Sequence, residues 1–345
     1  MKDKVTTPIE QQLNKFIQSK CLIPGGLGLW EAYFRRICTA WGRIDGAVRP
    51  QHIIFAADNG CNMEGCVGYN YEVTQKQSRN MVLGNTAVTH FCKFNHIPYE
   101  VVDVGIACDE GIGIDCKVAK GTKNILHHSA MSKEEFNRAF QAGYERVRHY
   151  AEQGANLFSF GEMGLGNTTT SACVLSALLG VEPENTVGPG SWPDKPDLMK
   201  RKIDFVCSVL EKHKEYFTAS NEINRVHQIV AHVGGFDIAA MTGAMIACTE
   251  LRCPFVIDGF ISAVAAACAV RLNAMVKAYA LPSHFSREPG MELALAELGL
   301  SRDMVPIQAQ MAMGEGTGAI LMVQLLKTIQ YMFVSVGTMA DLMKL

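Results

Sequence analysis

The chain has 345 residues, 48% of them hydrophobic, and a formal net charge of −2. That length and apolar share fill a large core and exclude a disordered chain. The near-zero charge argues against bulk attraction to nucleic acid or an anionic membrane.

In chain order, the opening MKDKVTTPIEQQLN lacks the apolar run of a signal peptide. The longest apolar stretch, near Phe260 to Val270, is too short to cross a bilayer. A soluble cytoplasmic protein without a membrane or nucleic-acid partner is expected. The 12 cysteines run from Cys21 to Cys268 with no CxxC pair, which suits buried reduced thiols better than a zinc site.

Residues 1–40 read as helical. Five short apolar runs ending in small or acidic residues then read as strands: His52 to Gly60, Tyr99 to Ile106, the run through Asn156 to Gly166, Pro254 to Phe260, and Ala278 to His284. Helical patterns lie between and after them. These are Ser132 to Gln153, Asn167 to Leu179, Lys195 to Phe217, Phe236 to Leu251, Ile261 to Leu272, and Gly318 to Leu345 with a break at Gly337. The alternation predicts an α/β fold, a doubly wound parallel sheet with flanking helices. Residues 41–317 would form its nucleotide-binding core, and residues 1–40 with 318–345 a smaller helical lobe.

Ligands in such folds bind beyond the carboxyl ends of the strands. That directs attention to GEMGLGNTTT, Gly161 to Thr170, where Asn167 or Thr168 could cap a helix. Its open N–H groups would favour a phosphate, or the segment is a tight strand–helix turn with a polar cap. Gly164-x-Gly166 partly imitates a dinucleotide fingerprint, but Thr169 stands where the third glycine belongs. VGPGSWPDKPDLMKRK, Val187 to Lys202, ends in Lys200, Arg201 and Lys202, which could neutralise a phosphate or form a solvated face.

Glu162, in GEMG, and Glu315, in GEGTG, each follow a glycine and have another close behind. Glu315 precedes the last helix, whose N-terminus lowers a carboxyl pKa while burial raises it. It is a candidate general base or a helix-capping acid. Asp58, Asp103 and Asp258 end strands and could hold magnesium or bind backbone N–H groups in turns. His284 is a candidate pocket residue or a satisfied structural histidine. Met304, Met311 and Met313 fill a core or wall a flat aromatic ligand.

Together these motifs resemble the nicotinate-nucleotide:dimethylbenzimidazole phosphoribosyltransferase family, which makes the lower-ligand nucleotide of cobamides. The resemblance runs from PGGLGLWE, Pro24 to Glu31, to GEGTGA, Gly314 to Ala319. It includes FAADNG, VVDVGI, GTKNI, GEMGLGNTTT, VGPG, VGGFDIAAMTG, DGFISA and LPSHFSREPG. It implies transfer of phosphoribose from nicotinate mononucleotide to an aromatic acceptor, giving an α-ribotide and nicotinate. It further implies Glu315 as general base and Glu162 as a second acid near the reacting ribose or base. Gly164, Gly166, Asn167, Thr168, Thr169, Gly190, Lys202, Gly314 and Gly316 would hold the nucleotide and its phosphate. Tyr69, Gln77 and Met313 would line the acceptor site. No metal or cofactor is implied, and the partner is a second copy in a homodimer or a paralogue in a heterodimer.

The sequence departs from the family pattern at Leu22 and Leu29, at Met311 to Met313 before GEG, and at Lys120 and Tyr69. An anaerobic branch of the family uses phenol or p-cresol with paired paralogous subunits. The departures therefore raise the expectation of a phenolic acceptor, or of a non-catalytic or half-site partner subunit. A nicotinamide-dependent oxidoreductase is the reading the broken fingerprint disfavours.

Overall fold

The computed structural model describes residues 7–64, 72–190 and 196–344. Six parallel strands make one sheet: β1 (Pro50–Ala57), β2 (Tyr99–Gly105), β3 (Ile114–Asp115), β4 (Leu157–Met163), β5 (Phe255–Ile257) and β6 (Ala280–Pro282), in the order β3-β2-β1-β4-β5-β6. The chain walks outward from β1 through β2 to β3. It then returns to the other side of β1 and walks outward through β4 to β6. The order reverses between β1 and β4, and that is where such a sheet opens a crevice.

The two-residue period of a strand explains why these runs are apolar throughout. Ile53 and Phe55 of β1, Phe158 and Phe160 of β4, and Phe255 and Ile257 of β5 enter one core. The helices Lys133–Glu152, Asn167–Leu179, Glu222–Val233, Phe236–Glu250 and Phe260–Leu272 cover that core. The alternate residues Ile54, Ala56, Leu157, Val256 and Leu281 enter a second core on the opposite face. The helices Leu29–Trp41, Glu72–Val82, Ala87–Phe94 and Thr317–Ser335 cover it. The sheet is therefore doubly wound.

The expected C-terminal helix is interrupted near Gly337, as Thr317–Ser335 and Met339–Leu342. Leu13, Phe34, Cys38 and Phe333 form a separate small cluster between the first two helices and Thr317–Ser335. The first strand ends at Ala57, short of the expected Gly60, because Asp58 and Asn59 turn away into a loop. The short β3 and the helices Glu72–Val82, Ala87–Phe94, Glu222–Val233 and Met291–Glu297 escaped the sequence reading. The reading of Phe260 to Val270 as the longest apolar stretch needs correction as well. Thr317–Ser335 is 19 residues long and apolar enough by length and composition to cross a membrane. In the fold Ala319, Ile320, Met322, Val323 and Leu326 pack it onto the sheet.

Candidate active site

A cavity of about 460 Å³ opens beyond the carboxyl ends of β4, β5 and β6, lined among others by Gln77, Glu162, Gly164, Asn167, Thr168, Gly190, Asp258, His284, Glu288, Met313, Gly314 and Glu315. Its volume suits a small-molecule site.

Glu315 reaches it through an unusual backbone. Gly314, Glu315 and Gly316 have φ values of +73°, +64° and +93°. Glycine accepts that region freely, but a residue with a Cβ occupies it at a cost of order 1 kcal/mol or more. The surroundings hold the turn in place. Its carbonyl side packs so closely on β4 that a Cβ at Gly161 would lie 2.1 Å from the Glu315 oxygen, and one at Gly316 would lie 2.2 Å from the His52 ring. His52 is held neutral, its pKa pushed down to about 4 by burial. Its Nδ1 meets Ser159 Oγ at 2.8 Å and its Nε2 meets the Glu315 carbonyl at 3.3 Å.

The helix-capping alternative for Glu315 fails on inspection. Gly316 is the N-cap of Thr317–Ser335, and the acid at that end is Asp258. Asp258 Oδ2 accepts from Gly316 N at 3.1 Å and Oδ1 from Ala319 N at 2.9 Å. The Glu315 carboxylate points elsewhere. Its Oε1 accepts from Gln77 Nε2 at 2.6 Å, while Oε2 is buried with no hydrogen-bond partner among the described residues. Burial pushes its pKa up. The Gln77 hydrogen bond opposes that shift, the Asp258 charge adds to it, and the Val88 backbone N–H opposes it.

Glu162 ends β4 beside it. One of its oxygens accepts from Asn167 Nδ2, and Oε1 faces Glu315 N at 3.5 Å. Burial and the charge of Asp237 push its pKa up to about 8. At neutral pH it therefore carries its proton. Asp237 is fully buried and was not singled out from the sequence; its own pKa is pushed up to about 6 by burial.

Across the cavity the GEMGLGNTTT turn brings β4 into the Asn167–Leu179 helix. Gly166, not Asn167 or Thr168, is its N-cap, with φ +87° and no capping side chain. The N–H groups of Asn167 and Thr168 find no acceptor among the described residues. Thr168 Oγ1 accepts from Lys202 Nζ at 3.1 Å, and the same ammonium reaches the Gly188 carbonyl at 2.7 Å. Lys202 is 3% exposed, whereas Lys200 and Arg201 lie on the outer face of the helix. Glu288 Oε1 accepts from Gly190 N at 3.0 Å, and its Oε2 is buried without a partner among the described residues. The sequence reading missed Glu288, although SREPG resembled a turn of the family.

The structure thus gathers Glu315, Glu162, Gln77, Gly164, Asn167, Thr168, Gly190, Gly314 and Met313 around one cavity, with Lys202 behind Thr168. Gly166 and Gly316 shape the two turns without lining it. Thr169 does not reach it. It is fully buried, and its hydroxyl turns into the protein without a partner among the described residues. Tyr69 lies outside the described residues. His284 lines the cavity, with Nδ1 3.0 Å from Ser283 Oγ. Asp58, Asp103 and Asp258 all spend oxygens on backbone N–H groups, of Ala107, of Gly105, Ile106 and Ile112, and of Gly316 and Ala319.

Comparison with known proteins agrees with this architecture. The family model described as Phosphoribosyltransferase, DBI_PRT, matches residues 3–342. The nicotinate-nucleotide–dimethylbenzimidazole phosphoribosyltransferase of Clostridium perfringens strain 13 is 42% identical over 77% of this chain and 72% of its own. That of Clostridium acetobutylicum is 34% identical over 97% of this chain and 92% of its own. The crystal structure of the enzyme of that name from Thermus thermophilus superposes with a TM-score of 0.88 at 30% identity, covering 98% of each chain. By sequence and by fold, the chain belongs to the nicotinate-nucleotide–dimethylbenzimidazole phosphoribosyltransferase family.

Proposed function

We propose that this chain transfers phosphoribose from nicotinate mononucleotide to dimethylbenzimidazole in cobamide assembly, with Glu315 as general base. The observation that carries the reading is the state of one carboxylate in the cavity lining: Gln77 fixes Oε1 of Glu315, and Oε2 is buried with no hydrogen-bond partner among the described residues.

A ring nitrogen of the acceptor attacks the anomeric carbon. The bond to the nicotinate nitrogen breaks, and its electron pair neutralises that cationic ring. The N–H proton of the acceptor passes to the Glu315 carboxylate. A positioned base of this kind contributes ~10²–10⁴-fold to rate. Glu162 stays neutral beside it, so it can donate a hydrogen bond to the donor without setting a second negative charge against the base. The open N–H groups at the start of Asn167–Leu179, together with Thr168, Gly190 and the Lys202 ammonium, suit the phosphate. Gly164, Gly166, Gly314 and Gly316 admit the nucleotide between the two turns. Fixing the donor this way lowers the entropic part of the barrier, by up to several kcal/mol in well-oriented systems. Gln77 and Met313 border the acceptor.

We further propose a cytoplasmic homodimer, with the described helices of residues 1–40 and 318–345 as a smaller lobe. Ala87–Phe94 packs on Thr317–Ser335, and the pair leaves Phe94 and Tyr331 bare, at 85% and 74% exposed. A phenolic acceptor, or service as half of a paralogue pair, is the second reading. It rests on Met311 to Met313 standing where the family carries a basic residue.

The test is a product assay. Nicotinate mononucleotide is offered to the purified chain with dimethylbenzimidazole, purines or phenols, and the ribotides are identified by mass. Dimethylbenzimidazole ribotide is expected to dominate. Turnover of phenol in preference, or none until a paralogue is added, replaces this reading with the second.

A further inference from the structure

A second cavity lies apart from the catalytic one and is larger, about 670 Å³. Its walls come from the loop preceding Lys133–Glu152, the first turn of that helix, and one face of Glu222–Val233. No residue of the proposed mechanism lines it.

Its chemistry is one-sided. Lys123 and Lys133 both line it, and neither ammonium forms an ion pair among the described residues. No aspartate or glutamate lines the cavity among the described residues. His128 and His227 also line it, and neither imidazole ring makes a hydrogen bond among the described residues. Two unpaired cations sharing one concave wall repel each other, and an anion set between them relieves that.

The floor is apolar and flat-sided. Met131, Phe136 and Ala231 supply it, and the His227 ring lies over Phe136 at a centroid distance of 4.7 Å. On the far wall Ser129 Oγ meets His232 Nδ1 at 2.9 Å, and Tyr216 stacks on the His232 ring at 3.7 Å. A bare inorganic anion would leave these rings unused, whereas a planar ring bearing a carboxylate engages both halves of the lining.

We infer that this cavity is a second binding site for a small aromatic carboxylate, its ring against Phe136 and His227 and its carboxylate between Lys123 and Lys133. The site is joined by hydrogen bonds and close backbone packing to the loop that follows β1. Thr122 Oγ1 accepts from Gly60 N at 3.1 Å, Thr122 N donates to Asp58 O at 3.0 Å, and a Cβ at Gly60 would lie 2.4 Å from the Lys123 carbonyl carbon.

Calorimetric titration of the full chain with benzoate, and separately with inorganic phosphate, tests this. The wild-type chain is expected to show a benzoate site that disappears in the Lys123→Glu/Lys133→Glu variant with Tm unchanged. His227→Ala is expected to weaken the same site about tenfold. Benzoate binding that is identical in the wild type and the lysine variant overturns the inference. So does a lysine-dependent site that takes phosphate and leaves benzoate unbound.

Discussion

Gln77 and Glu315 stand 238 positions apart in the chain, and their side chains meet at 2.6 Å. The amide fixes one carboxylate oxygen, so the second is aimed by geometry and not by chance. The first expectation follows from this pairing. Glu315→Gln is expected to lower kcat by about 10²–10⁴-fold while the affinity for nicotinate mononucleotide changes little. Gln77→Ala is expected to have a smaller effect of the same kind. Single-turnover kinetics with a separate donor-binding measurement would distinguish loss of the base from loss of binding.

The pH dependence has two limbs with different owners. Glu315 must be ionised to accept a proton, and burial raises its pKa, so kcat/KM is expected to fall on the acid side above the usual carboxylate range. Glu162, with its pKa near 8, must keep its proton, so activity is expected to fall again as pH rises through about 8. Glu162→Gln fixes that group in its neutral shape. It is expected to flatten the alkaline limb and leave the acid limb in place. An unchanged alkaline limb in this variant would assign it to another group.

The same group links folding to pH. Its folded pKa lies above its value in the unfolded chain, so the unfolded chain gives up this proton first as pH rises. Stability is therefore expected to decline between roughly 4.5 and 8 through this residue. Thermal melts of wild type and Glu162→Gln across that range should diverge, with the variant more stable at the upper end.

Lys202 and Glu288 face the same corner, and the lysine charge holds down the pKa that burial pushes up at Glu288. Lys202→Ala is expected to raise KM for the donor by at least about tenfold and to lower Tm, because it leaves a buried carboxylate without its cation. Adding Glu288→Gln should recover much of the lost Tm without recovering KM. That split separates a phosphate contact from a structural one.

Gly316 has no room for a side chain. A methyl group there would enter the His52 ring and sit at φ +93°. Gly316→Ala is expected to cost about 2 kcal/mol or more of stability and to abolish activity by displacing the Glu315 turn. Thermal denaturation together with the transfer assay checks both.

The sheet was legible because its strands are apolar on both faces and separated by amphipathic segments, a pattern that depends on the chain alone. The short β3 was not, since two residues carry no period. Glu72–Val82 was missed because its buried residues are Thr74, Ser78 and Met81, a polar face no hydropathy pattern reveals. At the site, flanking glycines marked both carboxylates, in GEMG and in GEGTG, because crowded turns need glycine. The division of labour between them was hidden. It depends on Asp237 and Gln77, which tertiary packing brings up from distant segments. Thr169 was misjudged for a related reason: a run of three threonines at a helix start looks uniform, yet helical rotation turns the second one inward.

Asp258 fastens Gly316 and Ala319 to the end of β5, and so anchors the proton acceptor to the rigid sheet. Ala312 and Met313 at the rim lie in no helix or strand. The reaction centre and the aperture are thus mechanically separate. A lineage could trade one planar substrate for another by exchanging a few rim side chains, with the proton-transfer geometry inherited intact.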